Sequence, residues 1–143
     1  MNGLAGGTKS LLRIVTALLF LQHGGQKLLG WFGGIPGGPL DPLMRVAGSI
    51  ELIGGALLLV GLLTRPIAFL ASGEMAVAYF KAHFPNGVWP IQNHGESAVL
   101  FSFLWLFFAA AGPGPWSLDA LIARSRHHRH HPSSHGEPLP ART

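Results

Sequence analysis

Apolar residues in this chain come in long blocks, each broken by only one to a few polar positions. The first, Leu11 to Leu21, reads LLRIVTALLFL, with Arg13 and Thr16 as its polar members. The second lies between Arg45 and Arg65, nineteen residues carrying a single charge, Glu51. A third runs from Pro66 to His83 and contains Glu74, and a fourth runs from Asn93 to Ala111. Wound as α-helices, runs of this length match the hydrocarbon thickness of a bilayer. The pattern predicts four spans, about Leu11–Trp31, Leu43–Leu63, Pro66–His83 and Asn93–Ala111. The intervening GWFGGIPGGPLDP and PNGVWP are dense in glycine and proline and read as loops, and GPGPW ends the last span. Thr64, Arg65 and Pro66 leave so short a turn that the second and third spans must be antiparallel neighbours. The expected fold is all-α, an integral membrane antiparallel four-helix bundle.

Within the second block Glu51 is the anomaly. A carboxylate at that depth costs several kcal/mol unless it is neutralised or paired, so it is expected to face protein. Gly48, Gly54 and Gly55 lie three or four residues from it, and Gly61 repeats Gly54 after seven. Small residues in that register let neighbouring helices approach closely.

Composition agrees with the block pattern. Of the 143 residues, 48% are hydrophobic and 11% charged, and the mean hydropathy is +0.37. A soluble domain carries about a quarter charged residues. The formal charge of +4 sits mostly at the two ends and speaks for membrane orientation, not for nucleic acid. Lys9, Arg13, Arg65, Arg124, Arg126 and Arg129 fall on one side if both termini are cytoplasmic, which is the expected topology in an inner membrane. Trp31, Phe32, Phe84 and Trp89 would then form an outer aromatic belt, with Trp116 at the inner interface. Lys9 and Arg13 precede an apolar stretch as in a signal peptide, but no small-x-small cleavage site follows, so an uncleaved first span is expected. With no cysteine, disulfides and any dithiol mechanism run by this chain alone are excluded. Residues 1–123 read as the membrane domain. Residues 124–143, polar, basic and rich in histidine, read as a disordered tail, with metal binding by its histidines as a lesser reading.

The polar residues of the spans form a pattern of their own. Arg13, Thr16, His23 and Lys27 make one stripe up the first span, with Gln26 alongside. In the expected topology His23, Lys27, Glu51, Glu74, Lys81 and the Gln92–Glu96 run converge on one pocket opening outward. A structural role stands beside each of these. Lys27 and Lys81 can snorkel to the interface. Asn93 and Glu96 fit a capping box opening the fourth span. Glu51 can pair with Lys27 or His23 simply to hold helices in register. Glu74 has no partner at its own depth in the sequence, so a functional or protonated state is expected there. His23 with His83 or His94 offers only a weak metal set, and no metal is expected.

The segments LFLQHGGQKLLGWFGG, IELIGGALLLVGLLTRP, GEMAVAYF and FPNGVWPIQNHGESAVLFSFLWLFFAAAGPGPWSLD closely resemble the DoxX family of bacterial membrane proteins, from about Leu11 to Ala123. The positions carried over are His23, Gln26, Lys27, Glu51, Glu74, Asn93 and Glu96. The family takes its name from a subunit of a thiosulfate:quinone oxidoreductase. The resemblance therefore implies a redox-associated membrane subunit, with a quinone as the implied cofactor and a membrane-associated oxidoreductase or a second copy of the chain as partner. Two other functions stay open: a small-molecule or proton transporter or channel using Glu74, and a scaffold subunit without a ligand of its own. Against a carrier, the chain lacks a repeat of Gly- or Pro-broken helices.

Overall fold

The computed structural model describes residues 3–37 and 40–129. Its helices are α1 (Gly3–Leu29), α2 (Pro42–Val60), α3 (Thr64–Ala78), α4 (Pro90–Asn93), α5 (Glu96–Ala111) and α6 (Leu118–Arg129). Among the described residues the fold is entirely helical. Among these described residues two helices, α1 and α2, are long and apolar enough to cross a membrane. Helices α3 and α5, of 15 and 16 residues, are shorter than the spans expected there. The cause is local. Helix α3 loosens into a π-helical turn over Tyr79–His83, and a left-handed residue, His94 (φ 57°), splits α4 from α5.

Local chemistry sets the ends. The first helix stops two residues before Trp31, where Gly30 turns left-handed (φ 71°). Asp41 caps α2, accepting a 2.8 Å hydrogen bond from the Met44 amide, and Pro42 supplies the first helical φ. The far end of α2 closes at Gly61 (φ 69°): its amide donates to the Leu58 carbonyl and the Leu62 amide to that of Leu57, a Schellman pairing. The turn that follows is clipped from outside, because the Asp119 carboxylate of α6 accepts from the Leu63 and Thr64 amides, both at 2.9 Å.

Side-chain contacts give the helix directions. Gly24 meets Gly48 and Leu52, Leu21 meets Gly55, and Arg13 meets Gly61, so α1 and α2 run antiparallel. Arg65 bonds the Ala110 carbonyl, Ser72 and Ser102 exchange bonds, and Tyr79 lies against Gly95, so α3 and α5 are antiparallel too. The core between the pairs is aromatic and small: Ala17, Phe20, Leu58, Ala68, Ala71, Phe101, Trp105 and Phe108. Phe20 meets Trp105 edge-on at 5.4 Å and Phe101 at 5.7 Å.

The distribution of polarity on α1 is that of a membrane helix. Its buried stripe includes Ser10, Arg13 and Thr16, while its outward face is Leu11, Leu12, Val15, Leu18 and Leu19. A helix in water reverses this arrangement. Arg13, 1% exposed, is held through its terminal nitrogens by carbonyls beyond the end of α5, donating to Pro113 and, at 2.7 Å, to Trp116. The tail boundary expected at Arg124 falls inside α6, which runs to Arg129; residues 130–143 lie outside the described residues.

Candidate functional site

Close approach of α1 and α2 builds the site. A Cβ on Gly24 would stand 2.8 Å from the Gly48 oxygen and from Leu52 Cα, and one on Gly48 would stand 3.1 Å from Lys27 Cβ. The two glycines therefore let α2 lie directly under Lys27. A π-helical turn, Ile50–Gly54, then widens α2 at Glu51. Wide turns of this kind occur frequently at functional sites. Both oxygens of the Glu51 carboxylate accept from Lys27 Nζ, and the acid is buried (1% exposed) while the lysine keeps 15%.

This ion pair lines a cavity of about 930 Å³ between α1, α2, α3 and α5. His23 and Glu74 share the lining. The His23 ring meets Phe101 edge-on at 5.8 Å, so α5 contributes an aromatic floor. One carboxylate oxygen of Glu74 is buried with no hydrogen-bond partner. The remaining walls are mostly apolar, among them Val46, Ile50, Phe69, Leu70 and Val77. Asp41, Lys81 and His83 stand at the end nearer the loops.

Of the seven residues expected at a pocket, four line this cavity: His23, Lys27, Glu51 and Glu74. Gln26, Asn93 and Glu96 are not among its lining. Gln26 Nε2 donates to the Gly34 carbonyl at 3.2 Å and ties down the turn after α1. Asn93 is buried and organises the loop before α5: its amide donates to the Gly87 carbonyl at 2.7 Å and its oxygen accepts from the Gly95 amide at 2.8 Å. The capping box is not formed, since Gly95 occupies the N-cap of α5 without a side-chain bond and Glu96 is exposed. Phe101, Asp41 and Gly73 line the cavity without having been expected. Nothing in the sequence sets Phe101 apart from Phe103, Phe107 and Phe108. No three metal-binding side chains gather among the described residues. His83 Nδ1 lies 3.1 Å from the Asn93 carbonyl instead.

Apolar walls with a few convergent polar groups at one end suit an amphiphile whose head hydrogen-bonds. The Lys27–Glu51 pair is internally neutralised, which leaves Glu74 and His23 with the capacity to accept or donate. The fold and cavity together define a helical membrane protein with an internal amphiphilic site.

Comparison with known proteins then gives the family. The DoxX family model matches residues 8–84, and the chain belongs to that family. An uncharacterized protein of Haemophilus influenzae is 45% identical over 77% of this chain and 87% of its own length. Inner membrane protein YqjF of Escherichia coli is 32% identical over 77% of this chain and 88% of its own. A Bacillus subtilis protein carrying the name "Putative oxidoreductase CatD" is 29% identical over 81% of this chain and 87% of its own. No solved structure gives a significant match.

Proposed function

We propose that this protein is a four-span subunit of the bacterial inner membrane, its cavity holding the head of a quinone in association with a redox partner. The observation that carries the reading is the cavity itself: about 930 Å³, mostly apolar, with Lys27, Glu51, Glu74 and His23 on its lining. A quinone needs an apolar slot and one or two donors or protonatable groups at its carbonyls. Glu74, with its free oxygen, and His23 offer those groups, and the Lys27–Glu51 pair holds α1 and α2 around them. The oxidoreductase name of the Bacillus subtilis relative and the inner-membrane name of the Escherichia coli relative support the assignment. In the proposed topology α1, α2, α3 and α5 are the spans and both termini are cytoplasmic. The experiment is purification in mild detergent, mass spectrometry of co-purifying quinones, and titration with decylubiquinone. Bound quinone in the wild type, weakened in Glu74→Gln, is the expected result. Absence of quinone binding under both conditions overturns the reading.

One observation favours a second reading, transport of a proton or small molecule. Glu74 stands within α3 with an unpartnered buried oxygen, the position of a membrane-embedded acid in a relay. Proteoliposomes carrying a lumenal pH dye distinguish it: a proton leak abolished by Glu74→Gln would favour transport over quinone binding.

A further inference from the structure

The polar lining of the cavity lies deep, and its walls lead out sideways. Helix α3 packs against α2 from Ile50 onward, where Ile67 meets Gly54, and parts from it toward Pro42. Two ridges face one another across that gap. On α2 the ridge carries Val46 and Ile50, and on α3 it carries Phe69, Gly73 and Val77 at successive four-residue steps, all of them lining the cavity. Val46, Phe69 and Val77 are 57%, 68% and 47% exposed, so each belongs both to the cavity and to the outer face of the helices. That outer face is apolar and, in a membrane helix, meets lipid chains, not water. Glu51 and Glu74 follow Ile50 and Gly73 directly in the chain and turn inward from the same two ridges. At the middle of the α3 ridge Gly73 leaves open space: a Cβ there meets nothing within 4 Å.

We infer that the gap between α2 and α3 is a lateral mouth through which the cavity takes a lipid-borne ligand, one with a hydrogen-bonding head and an isoprenoid or acyl tail. The head reaches Glu74 and His23, and the tail lies across Gly73 between Val46 and Phe69 into the hydrocarbon. A ligand arriving from water would instead have to cross the loop end beside Asp41 and Lys81. The inference rests on the proposed function for the identity of the head, while the mouth stands on the walls alone.

The absence of cysteine makes Gly73 a clean probe position. A nitroxide attached to Gly73→Cys in reconstituted bilayers reports by power saturation which relaxing agent reaches it. Molecular oxygen, which partitions into lipid, is expected to relax it more strongly than the water-soluble nickel chelate. Dominance of the nickel chelate would show an aqueous mouth and overturn the inference. The second measurement fills the mouth with Gly73→Leu and compares decylubiquinone with its tail-less headgroup quinone. Loss of the tailed ligand with retention of the tail-less one supports the mouth. Equal binding of the tailed ligand by wild type and variant overturns the mouth and leaves the quinone site standing. If neither quinone binds the wild type, the proposed function fails, and the nitroxide result alone decides the mouth.

Discussion

Lys27 and Glu51 form an ion pair between α1 and α2 in which the acid is 1% exposed and the lysine 15%. Removing one member of such a pair typically costs about 3–5 kcal/mol, because the other charge is left uncompensated away from water. Glu51→Gln keeps the shape and part of the hydrogen bonding, so it should cost less than Glu51→Ala. Glu51→Gln combined with Lys27→Met should recover stability relative to Glu51→Gln alone. Unfolding of these three variants, and of Lys27→Met alone, by graded SDS addition in mixed micelles measures this. Purely additive losses would show that the two side chains are not coupled.

Two glycines, 49 residues apart in sequence, should respond in opposite directions to the same change. Gly24→Ala drives a methyl group into the α2 backbone around Gly48 and Leu52, which must shift. Overpacking of this kind costs about 1–3 kcal/mol. Gly73→Ala enters open space within α3 and removes backbone freedom from the unfolded chain, so it should stabilise by about 0.4–1 kcal/mol. Thermal unfolding in one detergent compares both with wild type. A neutral Gly24→Ala would mean that α1 and α2 do not approach as closely as these contacts require.

The inward face of Glu51 was legible because it needed only the helical step, with Gly48, Gly54 and Gly55 within four residues of it. Comparable depth on two adjacent helices left Lys27 and His23 as its candidate partners, and the fold pairs it with Lys27. Gln26, Asn93 and Glu96 do not line the cavity, and each lies near a helix terminus, where the path of the adjoining chain is set by tertiary contacts. Trp31 packs on Gly25 and folds the turn back toward Gln26. The left-handed His94 separates Asn93 from α5, so the residue that looked like a cap closes a loop. The π-helical turns at Ile50–Gly54 and Tyr79–His83 leave no mark in the hydrophobic period. The Asp119 clip joins segments 55 residues apart and was not visible from local spacing at all.

The proposed orientation rests on the basic residues at the ends and at Arg65, and it is directly measurable in a chain without cysteine. Single cysteines at Gly37 and Gly87, both in loops, should react with an impermeant maleimide added to intact spheroplasts. Reaction at either position only after lysis would reverse the proposed topology at that loop. The lateral mouth would survive a reversal, since it depends on α2 and α3 and not on which side of the membrane the loops occupy.

The last prediction concerns Asp119, which couples α6 to the turn between α2 and α3. Its two carboxylate oxygens take the Leu63 and Thr64 amides at 2.9 Å each, and its own amide donates to the Gly61 carbonyl at 2.9 Å. Thr64 is fully buried, so its amide has no water to turn to if the acceptor is removed. Leu63 holds a left-handed φ of 51°, a strained conformation for a branched side chain that the surrounding bonds must maintain. Asp119 thus acts as an N-cap supplied from a distant segment. Loss of a capping side chain costs about 0.5–2 kcal/mol, and loss of two acceptors at a buried helix start belongs at the upper end of that range. Asp119→Ala should therefore destabilise by about 2 kcal/mol, and Asp119→Asn, which keeps one acceptor oxygen, by about half as much. The same variants should raise hydrogen exchange at the Leu63 and Thr64 amides ahead of the rest of α3. Unchanged exchange at those two amides in Asp119→Ala would show that the clip does not hold the turn.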